Sequence, residues 1–157
     1  LGKRTVIASD GDRYPATVVA FDAARDLALL SVPKIDKPAL EIGKAKLDDV
    51  GAVFGHPGGQ DEIAVTPAAV RQQINAVGRD LYNRQTTHRD VLILAAQLHQ
   101  GDSGGALIGE DGKVIGVAFA IAPDKAGTSY ALATSELREV LAKPHDQAVT
   151  TGSCLDH

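Results

Sequence analysis

An all-β architecture, a barrel or a sandwich, is what this sequence predicts, and three observations carry the prediction. Short runs of β-branched and apolar residues recur along the 157 positions. Glycine, proline and aspartate turn signals separate them. No helical patterns alternate with the runs in the way a βαβ sheet requires. At 44% hydrophobic and 23% charged residues the chain has the composition of one globular domain. A domain of this size buries roughly 70% of the surface its unfolded chain exposes, so a sizeable core can form.

In order, Thr5–Ala8 and Ala16–Phe21 read as strands on either side of the Asp10-Gly11-Asp12 turn signal. Leu27–Val32 is a further apolar run, closed by Pro33. Val50–Gly55 follows and breaks at Pro57-Gly58-Gly59, and Ile63–Thr66, Val70–Val77 and Val91–Leu94 continue the series. Ala106–Ile108 and Val114–Ile121 flank Asp111-Gly112, a hairpin signal. One helix is predicted, with Thr134 or Ser135 as N-cap, Glu136–Leu141 as its body and Pro144 as its stop. Residues 145–157 are polar and are expected to run over the surface.

Several classes are excluded. No apolar run approaches the ~20 residues of a spanning helix. A formal charge of −4, from 16 basic and 20 acidic residues, leaves no electrostatic footprint for nucleic acid. Cys154, the single cysteine, cannot close an internal disulfide. No His/Cys spacing suggests zinc, and no metal or organic cofactor is implied.

The most informative stretch is Gly101-Asp102-Ser103-Gly104-Gly105. A serine hydroxyl becomes a competent nucleophile when a base takes its proton and amide donors receive the charge made on the attacked carbonyl. Glycines beside it let backbone N–H groups form a concave nest, which makes the Gly101 and Ser103 amides the oxyanion-hole candidates. The same five residues satisfy Gly-x-Ser-x-Gly, but the nucleophile elbow of α/β-hydrolases needs a helix directly after the serine. Here a strand, a hairpin turn and another strand follow. A glycine-rich turn without chemistry is the plainer alternative, and the flanking sequence weighs against it.

Those flanks resemble the chymotrypsin-like serine proteases. Arg13–Asp22 together with Arg25-Asp26-Leu27-Ala28-Leu29-Leu30 is similar to the HtrA (DegP-like) branch of that clan, and Gly112–Val117 to the strand pair behind the specificity pocket. Gly55-His56-Pro57-Gly58-Gly59, Arg89-Asp90-Val91 and the Thr151–Cys154 ending, with no PDZ domain after it, look more like the periplasmic proteases of actinobacteria. The resemblance implies two packed six-stranded antiparallel β-barrels, one trypsin-like domain over residues 1–157, and peptide-bond hydrolysis through an acyl-enzyme. It makes Ser103 the nucleophile and Asp26 the triad aspartate that orients the base. Taken alone, Asp26 is equally a turn or capping residue.

The family order is histidine, aspartate, serine, and no histidine precedes Asp26. His56, His88, His99, His145 and His157 read as solvated or locally bonded, and none is the base. The expectation is that the base lies upstream of Leu1, so that the first barrel lacks its opening strands, exposes apolar surface and an unpaired edge, and the chain alone is inactive. The missing N-terminal segment is then a partner, alongside a peptide or protein substrate. Asp102 stands where many HtrA members carry asparagine. In trypsin-like relatives that aspartate pairs with a freed N-terminal amine and orders the oxyanion loop, and a solvated carboxylate is the alternative.

The trypsin-like pocket aspartate lies six residues before the nucleophile, where this chain has Gln97, so the resemblance implies a neutral or apolar preference and not arginine or lysine. Ala118, Phe119 and Ala120 would form one pocket wall, although Phe119 is equally an ordinary core residue. Cys154 is either an inert thiol or, as the resemblance implies, bridged to an upstream cysteine. The resemblance also implies a parent tethered to the inner membrane by N-terminal helices and acting in the periplasm under acid or oxidative stress. The reading of another class is a protease-fold binding module without turnover. A non-peptidase acyl hydrolase is a third.

Overall fold

The computed structural model describes residues 4–152. Cys154 and His157 lie outside the described residues. Two compact units make up the chain, one formed by residues 1–38, 77–88 and 137–157, the other by 39–76 and 89–136.

The first unit carries β1 (Arg4–Ile7), β2 (Arg13–Asp22) and β3 (Leu27–Ser31), an antiparallel sheet in the order β1-β2-β3. Among the described residues this sheet is open, with β1 and β3 as its edges, as expected of an incomplete first barrel. The Asp10-Gly11-Asp12 signal makes the turn it announces: Ala8 N–H donates to the Asp12 carbonyl at 2.9 Å, and Asp12 N–H to Asp10 Oδ1 at 3.1 Å. Lys37 pairs with the other oxygen of Asp10. The tail is more tied than its polarity suggests. Val149 N–H donates to the Val18 carbonyl at 2.9 Å and Tyr82 O–H to the Thr151 carbonyl at 2.5 Å, which ties the tail to β2 at one point and to Tyr82 at another.

Asp22 is the electrostatic pivot of this unit. Its side chain is 5% exposed. Oδ1 accepts the Ala24 and Arg25 N–H groups at 3.0 and 3.1 Å, which closes the turn into β3. Oδ2 accepts Lys143 Nζ at 2.7 Å and Arg25 Nη1 at 3.0 Å. Burial pushes the carboxyl pKa up, but the hydrogen bonds from Lys143 and from the Arg25 amide and guanidinium outweigh it and hold the group below the usual aspartate value.

In the second unit β4 (Val50–Gly55), β5 (Ala64–Arg79), β6 (Thr86–Ala95), β7 (Ala106–Gly109), β8 (Val114–Ile121) and β9 (Thr128–Ala133) close a six-stranded barrel in the order β4-β5-β6-β9-β8-β7. Side chains two apart share a face of a strand. Accordingly Ala68 and Val70, Leu92 and Leu94, and Ala131 and Ala133 join Val53, Leu107 and Ile115 in one buried cluster. The two strands expected over 63–66 and 70–77 are one strand, β5. Pro67 stands opposite Ala52 inside the ladder, because a proline's fixed φ suits an extended chain and its missing N–H forfeits a single bond. β9 has no counterpart in the sequence reading. Ala131 and Leu132 carry little strand preference, and the segment is held by pairing on both sides: Leu132 opposes Val91 on β6 and Val117 on β8.

The helix α1 spans Thr134–Leu141. It begins at Thr134 itself, so neither expected residue is its cap. The Thr134 hydroxyl instead donates to the Gly43 carbonyl at 2.7 Å, and Ser135 Oγ to Asp90 Oδ2 at 3.0 Å. Glu136, buried in the first turn, accepts Asp90 N–H at 2.8 Å.

Leu94 is fully buried, so Leu94→Ala should lower unfolding free energy by about 3–5 kcal/mol, read by chemical denaturation. Asp22→Asn should cost about 1–2 kcal/mol at neutral pH, a figure reduced for the part-exposed Lys143. Because the folded pKa of Asp22 is depressed, that stabilisation is present above the unfolded value of about 3.9 and is lost as pH falls through the folded value. The gap between wild type and variant should therefore narrow below about pH 4. A gap independent of pH would contradict the assignment.

Candidate active site

The nucleophile motif lies on the connection between β6 and β7, and backbone bonds tie it on three sides. Within the turn, Asp102 N–H donates to the His99 carbonyl at 3.1 Å and Gly105 N–H to the Asp102 carbonyl at 2.9 Å. Toward β8, Gly104 N–H donates to the Ala118 carbonyl at 2.7 Å, and Ala118 N–H to the Gly105 carbonyl at 2.9 Å. Toward the 3₁₀ turn Pro57–Gly59 that follows β4, Gly58 N–H donates to the Gln100 carbonyl at 2.7 Å. Gly101 has φ +101°, a conformation open to glycine and strained for other residues.

Ser103 is exposed at the head of this turn, and its Oγ donates to the Phe119 carbonyl at 3.0 Å. The Gly101 and Ser103 N–H groups donate to no protein acceptor among the described residues. Two unspent amides beside an exposed hydroxyl are what an oxyanion site requires. Asp102 points the other way. It is 2% exposed, and Oδ2 accepts His99 N–H at 2.8 Å. The carboxylate is therefore an internal strut of the turn, not a solvated group.

Phe119 reaches the serine through its carbonyl, while its half-buried ring has Arg89 and Tyr130 as neighbours. The Arg89 guanidinium carbon stands 5.3 Å from the ring centroid, and the Tyr130 ring lies 6.4 Å away, tilted. Ala118 is buried in the barrel core, and its backbone bonds the serine turn. Ala120 is half-buried and Gln97 exposed. Sequence reasoning passed over Arg89 and Tyr130 as neighbours of the site. Tyr130 sits on the strand that went unread, and its signal was the scarcity of aromatic residues, 4% of the chain.

Asp26 belongs to the first unit and Ser103 to the second. Asp26 is exposed on the turn before β3, with φ +56°, a left-handed conformation that aspartate tolerates better than most residues. His56, His88, His99 and His145 are all exposed. His56 Nδ1 lies 2.9 Å from the Gln60 carbonyl and His145 Nδ1 2.9 Å from the Lys143 carbonyl, and no histidine is the hydrogen-bond partner of Ser103 among the described residues. No group of three metal-ligating side chains occurs among the described residues.

A closed six-stranded antiparallel barrel that presents Gly-Asp-Ser-Gly-Gly on the connection between two of its strands defines the trypsin-like class. Residues 2–117 match the family described as Trypsin-like peptidase domain, and the chain belongs to it. Serine protease Rv3671c of Mycobacterium tuberculosis is 40% identical over 161 residues, covering 98% of this chain and 40% of that protein. The probable periplasmic serine endoprotease DegP-like of Chlamydia pneumoniae is 34% identical over 129 residues, covering 80% of this chain and 25% of that protein. This chain thus spans less than half the length of either relative. The crystal structure of the Rv3671c protease in its active form superposes with a TM-score of 0.91 at 39% identity, covering 99% of this chain and 69% of that one. The inactive form gives 0.78, covering 88% and 70%.

Proposed function

We propose that the protein to which this chain belongs is a serine endopeptidase. The observation that carries the reading is the Ser103 turn, where an exposed hydroxyl stands beside two amides that no protein group uses, on a trypsin-like barrel. Ser103 Oγ attacks the carbonyl carbon of a peptide or protein substrate while a histidine takes its proton. The Gly101 and Ser103 N–H groups receive the negative charge on the carbonyl oxygen. The tetrahedral species collapses, the C–N bond breaks, and the histidine returns the proton to the leaving amine. Water, deprotonated by the same imidazole, then attacks the acyl-serine ester, and Ser103 regains its proton.

In this reading the base comes from a part of the protein outside these 157 residues, since among the described residues no histidine is bonded to Ser103. Asp26 holds that imidazole in the productive tautomer and stabilises it when protonated. Residues 1–157 form the trypsin-like domain. Gln97, in the position of the trypsin-like pocket aspartate, supports a preference for neutral or apolar side chains before the cleaved bond. Phe119, with Arg89 and Tyr130 packed on its ring, would form the adjoining wall. The likeness to a DegP-like protein of periplasmic name supports an extracytoplasmic site of action, and a role in acid or oxidative stress belongs to the same proposal. Among the described residues no helix is long and apolar enough to cross a membrane. A bridge from Cys154 to an upstream cysteine belongs to the same proposal.

The test is hydrolysis of labelled casein by the full-length protein. Ser103→Ala should lower kcat by about 10⁵–10⁶-fold and Asp26→Asn by about 10⁴-fold, with both variants folded. A wild type that binds casein without cleaving it would instead identify a protease-fold binding module.

A further inference from the structure

We propose that Arg89 is a specificity-determining residue. Its guanidinium, mounted on the Phe119 ring beside the nucleophile turn, selects substrates with a carboxylate side chain shortly before the residue at the cleaved bond. The inference rests on the reading of Ser103 as nucleophile and adds the charge of the substrate to it.

The placement follows from strand geometry. Side chains alternate across a strand, and Leu92 and Leu94 of β6 enter the barrel core, so Arg89 falls on the opposite, outer face. There it is half-buried, with its guanidinium carbon 5.3 Å from the centroid of the Phe119 ring. The carbonyl of the same Phe119 accepts the Ser103 hydroxyl at 3.0 Å. One residue thus holds the cation on its ring and the nucleophile on its backbone.

Nothing in the surrounding protein compensates this cation. A ring face attracts it through the ring quadrupole but takes up none of the five guanidinium N–H donors. Arg89 Nε is buried without a hydrogen-bond acceptor, and among the described residues no carboxylate pairs with the group. Adjacent carboxylates are bonded elsewhere. Asp90 accepts Asn75 Nδ2 at 3.1 Å and Ser135 Oγ at 3.0 Å, Glu136 Oε1 accepts Asp90 N–H at 2.8 Å, and Asp102 Oδ2 holds His99 N–H at 2.8 Å. Nε is the single nitrogen of the guanidinium that is buried without a partner, so the two Nη groups reach the surface. They keep the fork that binds a carboxylate through two parallel bonds, and an arginine stays charged at any working pH. A partly desolvated, unpaired charge beside a nucleophile is stabilised when a substrate brings the opposite charge to it. Gln97 governs the residue at the cleaved bond in this account, and Arg89 acts on those before it.

The experiment maps the bonds of casein cleaved by the full-length protein. One cleaved sequence is then remade as matched peptides with Asp, Asn or Lys at each of the three positions preceding the residue at the cleaved bond. Asp and Asn have nearly the same shape, so the ratio of their kcat/KM values reads charge. At one or more of these positions the wild type should favour Asp over Asn by about tenfold, and over Lys by more. Raising salt to about 0.5 M should shrink that ratio. Arg89→Gln should bring it to about one, and Arg89→Glu should favour Lys over Asp. An arginine that only packed on Phe119 would lower all three peptides together and leave the ratios alone. A wild type with no preference for Asp at any of the three positions overturns the proposal, as does a preference that survives in Arg89→Gln. If neither variant folds, a wild-type preference that salt leaves unchanged overturns it. A wild type that does not cleave casein overturns the serine-protease reading beneath it.

Discussion

The pairing of β4 with β7 is the constraint on which the candidate site depends. Phe54 opposes Ala106 and Val53 opposes Leu107 in this ladder, and it closes the barrel of the second unit. Because the register runs through these residues, the chain leaving β4 at Gly55 and the chain entering β7 from Gly105 must lie side by side. The turn that follows β4 and the nucleophile turn are thereby brought within one hydrogen bond of each other. β8 pairs with β7 on its far side, with Ala106 opposite Val117, and supplies the Ala118 and Phe119 backbone. Two connections and one strand, distant in sequence, meet at the nucleophile turn because one barrel closes.

Polar groups divide between holding the fold and facing outward. Asp22 and Asp102 are both buried aspartates, and each spends its carboxylate on backbone N–H groups of its own turn. Asp22 adds two cations, Arg25 and Lys143, so its charge is compensated where it is buried. Asp26 and Ser103 are the opposite case, exposed groups on turns whose geometry is set by neighbours. Both turns use a positive φ: Asp26 at +56°, a conformation that costs a non-glycine residue, and Gly101 at +101°, which glycine adopts freely.

The strands and the nucleophile were legible in the sequence, for different reasons. Val114–Ile121 and Val50–Gly55 are bounded by glycine and proline and dense in β-branched residues, and both match the observed strands. The serine turn was legible because few residue types allow a nest of amides around a hydroxyl. β9 was not, since Thr128–Ala133 owes its conformation to neighbours on both sides. Thr134 was misread as a cap because a hydroxyl just before a helical run is chemically suited to that role, and only the tertiary fold brings the Gly43 carbonyl to it instead. The contact between the end of β4 and the nucleophile turn was the least legible feature. Gly55 reads as the end of a strand and Gly58 as a turn residue, and the meaning of both depends on which atoms approach them: Asp102 Oδ1 and the Gln100 carbonyl, some 45 positions later in the chain.

The central claim is that Ser103 is a nucleophile activated by a histidine. The most direct measurement is the pH dependence of fluorophosphonate labelling of the full-length protein, with the modified residue identified by peptide mass spectrometry. The account predicts a single adduct, on Ser103, formed at a rate that rises through one ionisation near the ordinary histidine pKa of about 6.5. No adduct, or an adduct on another residue while casein is still cleaved, would contradict it.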